Sequence, residues 1–546
     1  IRDRLEGVGE APAMKERILN AIGIGLLAIC FVVALGRILW PKERGSTGED
    51  VVTIRIAHWQ LESGVREAIN AMAREYEKLH PDVRIQQIPI PERIYPNWLI
   101  TQLIGGTAPD IIQIGIGITE ERIARFFVPI TELVELPNPY NKGTELEKVP
   151  MLNTFFDGMQ GGYQENLLEY YGVPLSGTSI RVYYNLGLLK EITGSDKLPA
   201  SYREFIDLCK ATLAFAKANN RTIVPIAGSK YNGPLLMNAL FASQTQKLMD
   251  QLSPTGTLVT DPTLTMEWLA QNKWSPNSPE VLSGLTLMRE VSEFLQPGFM
   301  QLQRDDATFY FVQGRSLMIC SGSWDSTSIR SQSPFTVGVG RIPFPTPDDP
   351  EFGPFTKGRI SEAGAVSAVS FGLTRSSENP AIAQDFLLFL GSQPANRVWT
   401  NVSRWIPAVV GVEPHPDAAP FQPLMDGYAP GFPLPNQPDA ARIYNTNIND
   451  LFGPEGSPQK FADRLSVGYL EAQKSDLTRL IRSTSMNSKR RDTVVAALAV
   501  QRAKDPGDAK LDEKLDEALQ SISSIERGYY LNKAALRATE TALAKP

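Results

Sequence analysis

The chain contains 546 residues, more than one hydrophobic core usually organises, and this length predicts two or three domains. Apolar residues make up 42% and charged residues 21% of the sequence, as in ordinary globular proteins. The 54 basic and 60 acidic side chains give a net charge of −6, which argues against a nucleic-acid partner. Three cysteines and three histidines leave little material for a metal or redox site, and we predict neither a metal nor a cofactor.

The N-terminal region contains an uncharged apolar run from Ile18 to Gly36, bounded by Arg17 and Arg37. As a helix this run would span about 28 Å at ~1.5 Å per residue, close to the thickness of the bilayer hydrocarbon. It fits a cleaved signal peptide or an uncleaved anchor, and a lipid attachment at Cys30 fits less well because Ile29 is not small. We predict that residues 1–45 form a tail and a transmembrane or signal-anchor helix.

The next segments alternate between strand and helix patterns. Strands are predicted at residues 51–59, 83–88 and 110–114, and helices at 65–79 and 97–104. A β-α-β-α-β order predicts a parallel sheet covered by helices. Because ligands bind such sheets at the carboxyl ends of the strands, the loops after Trp59 and Ile114 are candidate binding loops.

The same class of pattern continues through the middle of the chain. We predict helices at residues 202–218, 282–295 and 380–390, and extended segments at 173–184, 223–227, 316–320, 337–342 and 365–373. Residues 406–438 are dense in proline and are predicted to be irregular. From Phe461 onward, apolar residues recur every three or four positions, which predicts two or three amphipathic helices. These helices either dock on the preceding domain or form a partner-binding arm.

Several short segments occur in an order that is typical of one protein family. They are residues 53–59 (TIRIAHW), 76–83 (YEKLHPDV), 106–112 (GTAPDII), 171–174 (YGVP), 182–185 (VYYN), 314–318 (GRSLM), 322–324 (GSW) and 383–387 (AQDFL). From about Thr53 to Pro407 the chain resembles the family 1 extracellular solute-binding proteins, the maltose-binding-protein type. Members of this family capture sugars and related solutes outside the cytoplasm for ABC importers.

The resemblance implies an α/β fold of the type II periplasmic-binding-protein class, with two lobes of mixed, mostly parallel sheets joined by hinge crossovers. We expect lobe one at residues 53–178 with 367–402, lobe two at 185–362 with 407–460, and a C-terminal helical extension at 461–546. The crossovers are expected near residues 178–185, 362–367 and 402–407. The implied protein is a monomeric solute-binding component in the periplasm or at the cell surface, attached to the membrane by its N-terminal helix.

The implied function is capture of a carbohydrate or a related small polar solute between the lobes, followed by delivery to an ABC-type permease. The alternatives are a ligand-sensing protein that reports to a membrane partner and a binder of ferric ion or polyamine. The adjacent Tyr183 and Tyr184 are the candidates for a ferric site, since phenolate oxygens suit that ion. No catalytic motif is present, and we predict that the chain is not an enzyme, although Glu62 and Asp325 could in principle form a hydrolytic pair.

The candidate ligand-binding residues lie in loops that this fold directs toward the cleft. Trp324 and Trp59 could stack on the aliphatic faces of a sugar, and Asp325 and Glu62 could accept hydrogen bonds from its hydroxyl groups. The structural alternative for each tryptophan is a core position, and for Asp325 a solvated turn. The full predicted set is Trp59, Glu62, Gly115, Ser176, Thr178, Trp324, Asp325, Gly364 and Trp405. Cys209 and Cys320 could form a disulfide or could be two buried small apolar residues.

Overall fold

The computed structural model describes residues 51–62, 64–164, 167, 169–253, 261–434 and 437–544. The apolar run from Ile18 to Gly36 and the predictions made for residues 1–45 lie outside these ranges. Within them, every helix is too short or too polar to cross a bilayer.

Twelve strands occur in the described residues. They are β1 (Val52–His58), β2 (Val83–Pro89), β3 (Ile111–Gln113), β4 (Tyr163–Gln164), β5 (Glu169–Tyr170), β6 (Val173–Gly177), β7 (Ile180–Asn185), β8 (Val224–Ala227), β9 (Ser316–Gly322), β10 (Val337–Gly340), β11 (Ala368–Leu373) and β12 (Ile406–Pro407).

The described residues also form α-helices. They are α1 (Val65–Leu79), α2 (Tyr95–Gly105), α3 (Glu120–Phe126), α4 (Thr131–Val134), α5 (Leu186–Thr193), α6 (Tyr202–Ala218), α7 (Asn232–Gln244), α8 (Gln246–Leu252), α9 (Pro262–Ala270), α10 (Pro279–Ser292), α11 (Arg304–Val312), α12 (Ser326–Gln332), α13 (Pro380–Leu390), α14 (Gln393–Ser403), α15 (Pro438–Asn447), α16 (Asn449–Phe452), α17 (Pro458–Lys504) and α18 (Ala509–Leu543).

The strands form two main sheets, each of which is the centre of one lobe. The sheet of lobe one has six strands in the order β12-β6-β11-β3-β1-β2, and the sheet of lobe two has four in the order β10-β7-β9-β8. β1 pairs in parallel with β3, and β8 pairs in parallel with β9. The strands that return from the other lobe, β7 and β11, run antiparallel to both of their neighbours. The sheets are therefore mixed as predicted, but antiparallel pairs are more common than we expected.

Helix α1 illustrates how the sequence sets the framework of lobe one. The Glu67 side chain accepts a hydrogen bond from the Gly64 backbone N–H at 2.9 Å and caps the helix N-terminus. Ile69, Met72 and Tyr76 are buried at the three- and four-residue spacing of one helix face. The loop that contains Trp59 and Glu62 lies between the end of β1 and this helix.

The chain passes between the two sheets three times. The first passage joins β6 to β7 through Thr178, and the second lies between β10 and β11. The third passage was predicted at residues 402–407, but β12 pairs with β6 of lobe one, and the Val410 N–H donates to the Thr154 carbonyl at 2.9 Å. The Phe421 ring then packs against Tyr183 of lobe two. We therefore place the third passage after Val410, because main-chain pairing holds the preceding residues on lobe one.

The C-terminal extension is a hairpin of two long helices, α17 and α18. Its base is part of lobe two, since Phe461, Leu465 and Tyr469 of α17 are buried in the large apolar core of that lobe. Leu477 and Ala535 continue this contact against Met266 of α9. The predicted amphipathic helices are therefore present. The base of the hairpin docks on lobe two and does not form a free arm.

Candidate functional site

The loops that follow β1 and β9 bring predicted site residues from the two lobes together. Trp59 and Glu62 follow β1 of lobe one, and Trp324 and Asp325 follow β9 of lobe two. Both tryptophans are partly exposed, whereas Asp325 is buried. The side chain of Arg304, which the sequence analysis did not identify, connects the two loops.

Arg304 is the first residue of α11 and connects acidic side chains of both lobes. Its Nη2 lies 3.3 Å from Glu62 Oε1 and also forms an ion pair with Asp325. Its Nη1 lies 3.7 Å from Glu92 Oε2, which follows β2 in lobe one. The guanidinium group also lies 5.4 Å from the centre of the Tyr231 ring. The predicted pair Glu62 and Asp325 therefore shares one cation.

The electrostatics of this cluster follow from burial and from the three charges. Burial raises the pKa of Glu62, while the nearby Arg304 charge acts against that rise. Burial alone would lower the pKa of Arg304, but Asp325 and Glu62 outweigh it, and the pKa of the guanidinium rises. Burial also raises the pKa of Tyr231 to about 12, so its hydroxyl remains protonated at neutral pH. The cluster between the lobes thus contains a fixed cation, carboxylates and a protonated phenol.

The Trp59 indole is positioned by its neighbours in lobe one. It packs edge-on against Tyr95, with ring centres 4.9 Å apart. A Cβ atom at Gly115 would lie 2.6 Å from Trp59 Cη2, so the absence of a side chain at Gly115 makes room for the indole. Gly115 was predicted as a ligand contact. In the structure, its lack of a side chain leaves space for the Trp59 indole.

Gln60 connects the indole to the carboxylate in the same loop. With its amide oriented by these neighbours, the nitrogen donates to Glu62 Oε2 at 3.1 Å and the oxygen accepts from Trp59 Nε1 at 3.3 Å. The same oxygen accepts from Gln113 Nε2 at 2.8 Å, at the end of β3. The loop is therefore held by hydrogen bonds among its own side chains and by one to Gln113 of the neighbouring strand β3.

Trp324 lies on the lobe-two side. Its indole covers Gly322, where a Cβ atom would approach the ring to 2.3 Å. Its Nε1 is buried and has no hydrogen-bond partner among the described residues. Next to it, Asp325 accepts a hydrogen bond from the Ser321 hydroxyl as well as the ion pair from Arg304. Asp325 is therefore not a solvated turn residue.

The remaining predicted residues lie at or near the crossovers. Ser176 is buried in β6, and its hydroxyl donates to the Ile406 carbonyl at 2.8 Å. Thr178 is partly exposed between β6 and β7, and Gly364 is exposed in the segment before β11. Trp405 is only 2% exposed and packs edge-on against Trp399. Ser176 and Trp405 therefore contribute to packing, and neither presents a free surface to the cleft.

The two adjacent tyrosines do not form a ferric site. Tyr183 and Tyr184 are neighbours on β7, so their side chains point to opposite faces of the sheet. Tyr184 lies in the main core of lobe two, and Tyr183 lies in a second apolar cluster. Both are fully buried, and the Tyr183 hydroxyl donates to the Gly322 carbonyl at 2.6 Å. The two phenols cannot meet at one ion.

The two described cysteines are free and buried, so the alternative of two small apolar residues is the one observed. Burial raises the pKa of both Cys209 and Cys320.

Sequence reasoning missed Arg304, Glu92 and Tyr231. One signal could have revealed Arg304, because a cation in the first turn of a helix opposes the helix dipole. Gln303 caps this helix together with Asp306, so the position of Arg304 in the first turn is well defined. An arginine that opposes the dipole at a fixed N-terminus indicates anionic neighbours from elsewhere in the fold.

Two curated proteins are similar to most of the chain. An uncharacterized ABC transporter extracellular-binding protein of Pyrococcus horikoshii is 21% identical over 486 residues, covering 85% of this chain and 97% of the relative. The multiple sugar-binding protein of Streptococcus mutans is 22% identical over 412 residues, covering 73% of this chain and 86% of the relative.

Solved structures share the two-lobe fold. The GacH receptor of Streptomyces glaucescens, studied unliganded and with acarbose, matches with a TM-score of 0.55 at 14% identity, over 77% of this chain and 98% of the receptor. Maltose-bound MalE3 of T. maritima matches with a TM-score of 0.54 at 16% identity, over 76% of this chain and 98% of that protein. At these identities the matches establish the fold.

The sequence profile of one family covers more than half of the chain. It is described as bacterial extracellular solute-binding protein and matches residues 71–422, which include Arg304, Asp325 and every strand of the two main sheets except β1. The chain therefore belongs to the bacterial extracellular solute-binding protein family.

Proposed function

We propose that the chain captures a carbohydrate or a related small polar solute between its two lobes and delivers it to an ABC-type permease. The observation that carries this proposal is that Arg304 pairs with Glu62 of lobe one and with Asp325 of lobe two, in the loops that also contain Trp59 and Trp324. Partly exposed indole rings stack on the C–H faces of sugars, and the charged groups are hydrogen-bond partners for hydroxyl groups. The protein acts as a monomer held at the outer face of the membrane by its N-terminal segment.

The nature of the relatives supports a saccharide over other solutes. The Streptococcus mutans relative is a multiple sugar-binding protein, and the two solved structures are described with acarbose and with maltose. The chemistry of the cluster supports binding over hydrolysis, because Arg304 lies between Glu62 and Asp325 and holds both carboxylates. A hydrolase needs one of its two carboxyl groups free to donate a proton to the leaving group.

A ligand screen tests this proposal directly. Thermal unfolding is measured with mono- and oligosaccharides, polyols and ferric salts, since a solute that binds only the folded state raises the melting temperature. We expect at least one saccharide to do so and Trp324→Ala to weaken its binding by about 1–3 kcal/mol in calorimetry.

The matched control is Tyr530→Ala, which removes an exposed ring from the C-terminal hairpin and should bind the saccharide normally. If no saccharide stabilises the protein, or if Trp324→Ala binds as well as wild type, the proposed site is wrong.

A further inference from the structure

The C-terminal hairpin reaches from lobe two to lobe one. Its base is fixed on lobe two, where Gln473 Nε2 donates to the Met266 carbonyl at 2.7 Å and to Thr539 Oγ1 at 2.6 Å. Its distal part lies against α4 of lobe one, and Lys514 forms an ion pair with Glu132 there. Between the distal hairpin and lobe one is a cavity of about 1000 Å³. This volume is at the upper end of the range of small-molecule sites, which is roughly 300–1,000 Å³.

The walls of this cavity, which we name the hairpin cavity, carry an excess of negative charge. The carboxylates are Glu132, Glu135 and Glu169 from lobe one and Glu513 and Glu517 from α18, against the cations Arg491 and Lys514. Burial raises the pKa of Glu135, and the charges of Glu513, Glu132 and Glu169 raise it further. Burial likewise raises the pKa of Glu517. The charges of Glu135, Glu169 and Glu513 raise it further, and the charge of Lys514 lowers it. Glu135 and Glu517 therefore lie in predominantly negative surroundings.

An unsatisfied polar group also faces the hairpin cavity. Ser521 lines the cavity and is 1% exposed, and its hydroxyl has no hydrogen-bond partner among the described residues. Buried hydroxyl groups without a partner are uncommon in folded proteins, since leaving one unpaired costs free energy. This hydroxyl could accept a hydrogen bond from a donor that enters the cavity.

Apolar side chains separate the charged groups. Leu133 and Leu136 of lobe one face Val494, Leu498 and Ala518 of the hairpin across the same space. A bare metal ion would not use these surfaces, and no group of side chains in the described ranges is arranged to hold one. A ligand with several cationic ends joined by methylene groups would contact both kinds of wall.

We propose that the hairpin cavity binds an aliphatic diamine or polyamine. Its ammonium groups would pair with the Glu135 and Glu517 side, one N–H would reach the Ser521 hydroxyl, and its methylene groups would lie on the leucine and valine side chains. Because one wall belongs to lobe one and the other to a hairpin rooted in lobe two, the bound cation would hold the two lobes together. The site is separate from the cleft, and the proposal does not depend on the identity of the cleft ligand.

The test uses the full chain with spermidine as the probe. Calorimetry is run for wild type, for Glu135→Gln/Glu517→Gln, and for Glu471→Gln/Glu526→Gln, which changes the charge equally at exposed positions outside the cavity. We expect wild type and the exposed-site variant to bind spermidine alike, and the cavity variant to bind about tenfold more weakly. Circular dichroism and the melting temperature without probe establish that each variant is folded.

Several outcomes would overturn the proposal. They are the absence of spermidine binding by wild type, unchanged affinity in the cavity variant, an equal loss in the exposed-site variant, and an equal response to Mg²⁺ at the same ionic strength. Tighter binding of hexalysine than of spermidine, lost in the cavity variant, would identify the occupant as a basic protein segment instead. Saccharide binding by the cavity variant is measured in parallel, so that failure of the cleft proposal is seen separately.

Discussion

Arg304 is the residue through which the two sides of the cleft meet. It contacts Glu62 of lobe one and Asp325 of lobe two, and all three side chains are largely withdrawn from solvent. A cation enclosed in this way compensates carboxylates that would otherwise be buried without a partner, which is far more costly than an exposed unpaired charge. Arg304 therefore stabilises the contact between the two lobes, and in the proposed function the same guanidinium group also contacts the ligand.

We predict that Arg304→Gln lowers the free energy of unfolding by about 2 kcal/mol at neutral pH, since it leaves buried carboxylates without their cation. The pKa of Glu62 is already raised by burial and should rise further without Arg304. When folding raises the pKa of a carboxyl group, that group stabilises the folded protein at pH values below its pKa in the unfolded state. This contribution to the free energy of unfolding is lost as the pH rises through the pKa of the folded state. The cost of the substitution should therefore be smaller at pH 5 than at pH 7.5 in urea unfolding.

The control for this prediction is Arg221→Gln, which breaks an exposed ion pair with Glu191. Exposed pairs contribute about 0–1 kcal/mol, so this variant should differ little from wild type at either pH. An equal cost for both substitutions, or a cost of Arg304→Gln that grows on acidification, would contradict the assignment of Arg304 as the buried link.

The predictability of the site differs from residue to residue. Trp59, Glu62, Trp324 and Asp325 follow strands whose pattern is visible in the sequence, so the fold class alone places them at the cleft. Arg304 was missed because its partners lie far away in the chain, and only the folded structure brings them within 4 Å. Trp405 was predicted to face the cleft, but its indole packs on Trp399. The local sequence around Trp405 does not distinguish these two orientations of the side chain.

At the scale of secondary structure, strong periodicity gave the most accurate predictions. The helices at 65–79, 202–218 and 380–390 have the predicted bounds. The helix predicted at 282–295 instead spans Pro279–Ser292. The apolar Phe294 continues the helical spacing, but its carbonyl accepts a hydrogen bond from Ile226 of β8. A local pattern cannot distinguish a further helical turn from pairing with a distant strand.

The hairpin contains a direct test of its docking on lobe two. We predict that Leu477→Ala, which removes a fully buried side chain between α17 and α9, destabilises the protein by about 2–4 kcal/mol. Val467→Ala on the same helix removes a side chain that is 84% exposed and should change stability by about 0.5 kcal/mol or less. Thermal unfolding and hydrogen exchange in α18 distinguish the two. Equal, small effects would mean that the hairpin is a free arm.

At the scale of the whole molecule, the crossovers are joined to one another beside the cleft. Arg181 of β7 is buried and donates to both carboxylate oxygens of Glu362, at 2.6 and 2.9 Å. Glu362 in turn accepts a hydrogen bond from the Leu424 N–H at 2.7 Å, beyond the third passage. Three chain segments that are connected through one ion pair can bend together while each lobe moves as a rigid body.

The lobes touch each other on the cleft side as well. Arg304 contacts Glu62, and the Thr327 hydroxyl donates to the Ser403 carbonyl at 2.9 Å. We infer that this arrangement is the closed one, and the clamp mechanism requires that the ligand-free protein also adopts a more open arrangement. A ligand that contacts Trp59 and Trp324 at once favours the closed state, because an open cleft offers it only one of the two surfaces.

Small-angle X-ray scattering with and without the saccharide that stabilises the protein most tests this central claim. The account predicts that the radius of gyration of the wild-type protein decreases at saturating saccharide, since the lobes close around the ligand. A radius of gyration that stays the same when calorimetry shows the site to be filled would contradict the two-lobe clamp.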